Sequence, residues 1–278
     1  MPVHKTWPDA KTGLFGIIGH PVGHSLSPAM HNAAFMAMGL NAAYLAFDVT
    51  DLDAALAGIR GLGIKGVSVT IPHKEAVLRF LDEIDPVAHK IGAVNTIVNR
   101  SGHLSGMNTD CTGALSAIEE VIPVRGRKVL VLGAGGAARA VCAGLADRGA
   151  AVHVANRTPE RAMALAKAFG LTWSGFERLG DIEADILINT TSIGMRPGYN
   201  ETPMAKGLLM SFEVVMDIVY SPLKTRLLKE AEDAGCKTIN GLRMLLYQAE
   251  AQFEIWTGQK APREAMEGAL KTALDPQP

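Results

Sequence analysis

Cysteine is scarce in this chain: Cys111, Cys142 and Cys236 are its only three, far apart and without C-x-x-C spacing. That excludes a cysteine-ligated zinc module, and the odd count argues against a disulfide scaffold, so a reducing compartment, the cytoplasm, is expected. Net charge is also scarce. With 27 basic and 28 acidic residues and no block of one sign, no global field draws the chain to nucleic acid or to an anionic membrane. The opening "MPVHKTWPDAKTG" lacks the apolar core of a signal peptide. The most hydrophobic window, 129–146, is broken by four glycines and Arg139, which argues against a membrane span. There is no repeat and no low-complexity segment. His20, His24 and His31 have no H-E-x-x-H pattern or carboxylate at ligand spacing, so no metal is expected. His24 adjoins Ser25, but no G-x-S-x-G elbow supports a hydrolase.

What the chain does have is alternation. At 48% hydrophobic and 20% charged it is a packed protein, and short β-rich runs alternate with helical patterns, the mark of an α/β fold. In the first series, strands are expected at 14–19, 43–49 and 66–70, with a hairpin through 93–99 and "RSGH". Helices are expected from Pro28 with Ser27 as N-cap, over 51–62, and from Pro72 with Val77, Leu78 and Leu81 on its apolar face. Met30, Met36 and Met38 are assigned to core space around the first helix. After "PVRGRK" a second series reads as a doubly wound parallel unit of Rossmann type. Its strands are expected at 128–133, 151–156, 184–190, 214–219 and 237–240, and one of its helices starts at Ser221-Pro222. The segment from Leu242 is helical and is expected to return to the first domain. Residues 1–110 and 242–278 then form one domain and 111–241 the other.

"VLVLGAGGAARA" places Gly133 and Gly135 after a strand and Ala138 at the third small position, in strand–turn–helix context. Gly133 permits the tight turn, and Gly135 lets a pyrophosphate approach the backbone through Ala134, Gly136 and Ala137. The helix N-terminus offers N–H groups to the phosphates. Where an NAD enzyme carries Asp or Glu at the end of the next strand, this chain has Asn156, Arg157 and Thr158, with Arg161 one helical turn on. Guanidinium groups there suit the 2′-phosphate of NADP; the alternative is that both arginines belong to a solvated helix face.

Four further patterns lie in the first series. "GHPVGHSLSPAMHN" sets Ser25 and Ser27 two apart, on one side of an extended segment. "SVTIPHKE" puts Lys74 in the opening turn of a helix, where the dipole disfavours a cation. "GAVNT" supplies Asn95, and "GMNTDCTG" supplies Asp110 at a helix start. As alternatives, Asp110 is a cap and Lys74 a solvated cation.

Taken together, "HSLSPAMHN", "SVTIPHK", "IGAVNT", "NTD", "GAGGAARA", "NRTPERA", "DIVYSPLKTRLL" and "GLRMLLYQAEAQFEIWTG" resemble the shikimate dehydrogenase family, in order and over nearly the whole chain. The resemblance implies a substrate domain, an NADP-binding Rossmann domain, and reversible reduction of 3-dehydroshikimate to shikimate. It makes Lys74 and Asp110 the catalytic pair; because the hydroxyl proton must leave as the carbonyl forms, Lys74 is expected to take it, with Asp110 hydrogen-bonded to the lysine and to the substrate. It makes Ser25, Ser27, Thr70, Asn95 and Gln248 substrate binders, and it places Tyr220 with the substrate and Thr190 and Gly241 with the cofactor. Ser68 departs from the asparagine of many members; serine there also occurs in quinate-using relatives, so a quinate/shikimate dehydrogenase with broader substrate or cofactor use is the second reading. A non-catalytic NADP sensor is the third. Oligomeric state stays open between monomer and homodimer.

Overall fold

The structure is a computed structural model describing residues 8–274. Most of the segment read above as lacking a leader, and the last four residues assigned to the first domain, lie outside the described residues. The chain divides into two compact units: one runs to Thr109 and resumes at Gln248, and the other spans Asp110–Tyr247.

The first unit contains β1 (Gly13–Gly19), α1 (Ser27–Ala37), β2 (Ala42–Asp48), α2 (Leu52–Gly61), β3 (Gly66–Val69), β4 (Glu83–Ile84), α3 (Pro86–Ile91), β5 (Thr96–Arg100) and β6 (His103–Met107). These strands form one mixed sheet in the order β2-β1-β3-β5-β6-β4. Helix α2 shows why the sequence folds locally as it does. The Asp51 side chain accepts from Ala54 N at 3.1 Å, satisfying one orphan donor of the first turn. Leu52, Leu56 and Ile59 then recur on one face and join Ile64, Val67 and Val69 in the core. The expected hairpin is β5–β6, with Arg100 opposite His103 across a two-residue turn at positive φ, Ser101 and Gly102.

The second unit holds α4 (Asp110–Glu119), β7 (Lys128–Leu132), α5 (Gly136–Asp147), β8 (Ala151–Asn156), α6 (Pro159–Phe169), β9 (Thr172–Gly175), β10 (Ile186–Asn189), β11 (Val214–Asp217), α7 (Arg226–Asp233) and β12 (Lys237–Ile239). Its sheet is parallel throughout, in the order β12-β11-β10-β7-β8-β9. From β7 the chain winds outward one way to β9, then crosses back and winds the other way. The turn after β7 therefore sits at the topological switch point, where such sheets bind ligands. α8 (Gly241–Thr257) begins in this unit and ends in the first, and α9 (Arg263–Leu274) packs on α1. Trp256 on α8 lies over β3 where Gly66 has no side chain: a Cβ there would come within 2.4 Å of the indole. The indole N–H donates to the Ile97 carbonyl at 3.0 Å.

Several expectations are corrected. No helix opens at Pro72; the chain makes turns there and then a single 3-10 turn, Ala76–Phe80. Tertiary bonds win over the apolar spacing: Val94 N donates to the Lys74 carbonyl at 2.8 Å, and the buried His73 ring pairs with the Val49 carbonyl at 2.8 Å. Lys74 thus precedes no α-helix, and the dipole argument about it falls. Ser27 is the first residue of α1 rather than its cap. Leu26 holds the cap position without a side-chain bond, and Ser27 N donates to Ser25 Oγ at 3.3 Å. The two serines therefore do not share an extended segment. Met30 is buried, but Met36 and Met38 are exposed. The helix expected from Ser221 starts at Arg226, because Thr225 has the better cap geometry, accepting from Leu228 N at 3.3 Å. Strands β10 and β11 end at Asn189 and Asp217, short of the expected 190 and 219, where side chains take over the hydrogen bonding.

Candidate active site

In the second unit the ends of three adjacent strands meet around Gly133. Leu132 on β7 pairs with Ala155 on β8 and with Asn189 on β10. Gly133 N donates to the Ala155 carbonyl, and Thr190 donates to the Leu132 carbonyl through its N–H at 2.9 Å and its hydroxyl at 2.6 Å. Gly133 has φ +112, and a Cβ on it would sit 2.6 Å from Thr190 Oγ1, so only glycine fits. Gly135 caps α5 in extended conformation with nothing within 4 Å of where its Cβ would be. Ala134, Gly136 and Ala137 around it are half-buried, whereas Ala138 is fully buried in the core. The first N–H groups of a twelve-residue helix are thus presented to open space, which is the requirement for a bound pyrophosphate.

The loop after β8 is held by Asn156, whose side-chain N–H donates to the Thr158 carbonyl at 2.9 Å. Thr158 holds the cap position of α6 but makes no side-chain cap bond. Arg157 and Arg161 are exposed, and among the described residues neither guanidinium has an ion-pair or hydrogen-bond partner. Two such cations beside a phosphate-ready turn fit NADP better than NAD.

On the neighbouring strand end, Asp217 is fully buried and accepts from Asn189 Nδ2 at 3.0 Å, Val219 N at 3.0 Å and Thr225 Oγ1 at 2.7 Å. Burial pushes its carboxyl up to about 6, against the pull of these donors. Because the folded value is raised, the stability this group contributes is present below the ordinary carboxylate range and is lost as pH rises through about 6. The stability of the protein relative to Asp217→Asn should therefore fall, by roughly 3 kcal/mol, between pH 4 and 7 in paired thermal melts. A pH-independent difference would refute the shift. Tyr220 lies three residues beyond Asp217, and Gly241, the first residue of α8, packs against the backbone of Ile218 and Val219. A Cβ on Gly241 would meet the Ile218 carbonyl at 2.3 Å, so its place is steric, and half-buried Tyr220 has its phenol pKa raised by burial.

In the first unit the structure joins Ser68, Asn95 and Gln248 through a buried polar network. Asn95 Oδ1 accepts from Thr109 N at 2.8 Å and from Thr96 Oγ1 at 2.7 Å, and its amide nitrogen faces Thr109 Oγ1 at 3.0 Å and Gln248 Oε1 at 3.4 Å. Gln252 bridges this cluster to Ser68 Oγ, which in turn meets the Tyr44 hydroxyl at 2.6 Å. The Tyr44 hydroxyl also faces Ser27, which is buried, whereas Ser25 is half-buried. His31 is fully buried and stacks on Tyr44 with centroids 4.5 Å apart. Burial lowers its pKa to about 3, the Gln252 amide opposing only in part, so the ring is neutral. Thr70 and Lys74 follow β3, both half-buried. Thr70 N bonds the Ile18 carbonyl, and Gly19 leaves room for the Thr70 methyl, which a Cβ would meet at 2.4 Å. Asp110, buried, follows Thr109 directly and begins α4 as expected.

The residues that sequence reasoning missed are Tyr44, Thr96, Thr109 and Gln252. One of them carried a signal: Gln252 lies four after Gln248, on the same face of α8. Among the described residues no group of His, Cys, Asp or Glu is arranged to hold a metal ion, and no helix is long and apolar enough to cross a membrane.

Family models match three segments. They are the shikimate dehydrogenase substrate binding domain over residues 17–97, shikimate / quinate 5-dehydrogenase over 116–196, and the shikimate 5'-dehydrogenase C-terminal domain over 241–271. A shikimate dehydrogenase (NADP(+)) from Moorella thermoacetica is 50% identical over 95% of each chain. Another, from Thermococcus kodakarensis, is 52% identical over 94% of this chain and 97% of its own. The crystal structure of shikimate 5-dehydrogenase from Thermus thermophilus, in complex with NADP(H) and shikimate, superposes with a TM-score of 0.87. It is 42% identical, and the match covers 95% of this chain and all of that one.

Proposed function

The chain belongs to the shikimate dehydrogenase family, and on that footing we propose that Lys74 moves the reacting proton while Asp110 orients the hydroxyl that carries it. The enzyme is an NADP-dependent oxidoreductase acting on a CH–OH group; it reversibly reduces 3-dehydroshikimate to shikimate on the way to chorismate and the aromatic amino acids. The observation that carries the reading is the buried hydroxyl–amide network beneath Ser68, Asn95 and Gln248, in a chain whose other unit has a phosphate-ready turn.

When bound, NADP accepts a hydride or, as NADPH, donates one. The turn Gly133–Ala137 holds its pyrophosphate on the N-terminus of α5, Arg157 and Arg161 hold the 2′-phosphate, and Asn156, Thr158, Thr190 and Gly241 shape the surroundings. In the reduction direction the carbonyl oxygen gains a proton as it becomes a hydroxyl, and the Lys74 ammonium gives it. In the oxidation direction the same nitrogen takes the proton as the carbonyl forms. Ser25, Ser27, Ser68, Thr70, Asn95, Tyr220 and Gln248 hold the remaining oxygens of the substrate.

The residues proposed for this work fit a small polyol acid rather than nucleic acid, and three cysteines with no disulfide among them fit the cytoplasm. The protein acts as a monomer or homodimer. Ser68, together with the match to a shikimate / quinate model, favours quinate as the second substrate to try. Steady-state assays with shikimate and quinate, each against NADP and NAD, test the reading. The expected result is the highest kcat/KM for shikimate with NADP; higher values for quinate would install the second reading, and no turnover with any pair would leave a nucleotide sensor.

A further inference from the structure

The network beneath Ser68 has a direction, and one backbone atom fixes it. Gln252 is fully buried, and its amide nitrogen lies 3.1 Å from the Asn95 carbonyl oxygen and 3.0 Å from Thr96 Oγ1. A backbone carbonyl only accepts, so the nitrogen end of Gln252 must face it and the oxygen end must face Ser68 Oγ, at 2.8 Å. An amide oxygen also only accepts, so Ser68 donates its single proton to Gln252. Tyr44, 2.6 Å away on the other side, must then donate to Ser68. Ser68 Oγ has given its proton and received one, which leaves one lone pair.

We propose that Gln252 is a positioning residue that turns Ser68 into an obligate acceptor and so selects substrates bearing a hydrogen-donating hydroxyl at that point. A carbonyl, carboxylate or ether oxygen placed there meets the remaining lone pair and no proton, whereas a hydroxyl completes the coordination of Ser68. The neutral, buried His31 stacked on Tyr44 puts no charge beside this relay that could reverse it. The inference rests on the reading of Ser68 as a substrate contact, and the test separates the two.

The measurement is kcat and KM for shikimate at saturating NADP, with wild type, Ser68→Ala, Gln252→Leu, Gln252→Glu and the Ser68→Ala/Gln252→Leu pair. Losing one neutral hydrogen bond to substrate should raise KM about five- to tenfold in Ser68→Ala, with kcat within about twofold. Gln252→Leu lets Ser68 rotate and should raise KM by the same factor. The double variant should be no worse than either single one, because Gln252 acts through Ser68. In its protonated form, whose second oxygen donates to the Asn95 carbonyl as the amide does, Gln252→Glu keeps an acceptor before Ser68 and should hold KM near wild type. Wild-type protein supplies a check independent of folding. Shikimate analogues with one non-reacting hydroxyl replaced by fluorine, an acceptor only, should bind no better than the matching deoxy compounds. An unchanged KM in Ser68→Ala overturns the substrate contact and the proposal with it. A raised KM in Ser68→Ala with an unchanged KM in Gln252→Leu, with additive effects in the pair, or with a fluoro analogue that outbinds its deoxy partner overturns the proposal alone.

Discussion

Replacing Lys74 with alanine is expected to lower kcat for shikimate oxidation by about 10²- to 10⁴-fold, the usual contribution of a positioned acid–base group. The fold is expected to tolerate the change. One hydrogen bond that holds residue 74 runs from Val94 N to the Lys74 carbonyl at 2.8 Å, a backbone contact that alanine keeps. The side chain is half-buried after a turn rather than packed in the core, so its loss leaves no large cavity. NADP affinity, measured by fluorescence or calorimetric titration, should stay within about twofold, because the residues proposed to hold NADP lie in the other unit. The alternative, a lysine that merely solvates its loop, predicts near-normal turnover. The pattern of lost kcat with intact cofactor binding separates the two, and melting temperatures of both proteins guard against unfolding as the cause.

Arg157→Ala should weaken NADP about ten- to a hundredfold while changing NAD affinity less than twofold, as expected for one or two charge-assisted hydrogen bonds to a phosphate. Arg157 and Arg161 are exposed and without a hydrogen-bond or ion-pair partner among the described residues, so removing one breaks no such bond among them. Exposure also means that salt screens the interaction, so the NADP-over-NAD preference of wild type should narrow as ionic strength rises, and that of the variant, which keeps only Arg161, should narrow less. Asn156 belongs to the same loop but commits its amide to the Thr158 carbonyl, so Asn156→Ala should loosen both cofactors alike. If Arg157→Ala affects NAD and NADP equally, the phosphate contact is wrong and the arginines are a solvated helix face.

The nucleotide half of the molecule was legible because its determinants are local. Gly133 is needed by its own backbone angle, Gly135 caps the helix that follows, and Ala138 is fully buried in the core behind it. The alternation of strands with helices implied the parallel order, and the chirality of such crossovers does the rest. The first unit was less legible because tertiary bonds override local pattern there. The apolar spacing after Pro72 promised a helix, but the bonds to Val94 and Val49 hold a turn in its place. Asp85-Pro86 and Gly92 bracket α3 with a full set of start and stop signals, yet the helix is only six residues long and its periodicity is too brief to register. The polar network was read in part. Asn95 stood out in its own motif and, with Gln248, takes a substrate role from the family resemblance, while Tyr44 and Gln252 look like ordinary residues of an apolar strand and helix. Only the pairing of β1 with β2 and β3, and the fold of α8 back onto the sheet, bring them to Ser68.

The most direct test of the whole account follows the hydride itself. NADPH carrying deuterium on the transferable side of its nicotinamide ring would be incubated with 3-dehydroshikimate and the purified protein, and the product examined by proton NMR and mass spectrometry. The expected product is shikimate with one deuterium, on the carbon that bears the newly formed hydroxyl, in step with NADPH consumed. Shikimate free of deuterium, or NADPH left unconsumed while both ligands are bound, would contradict it.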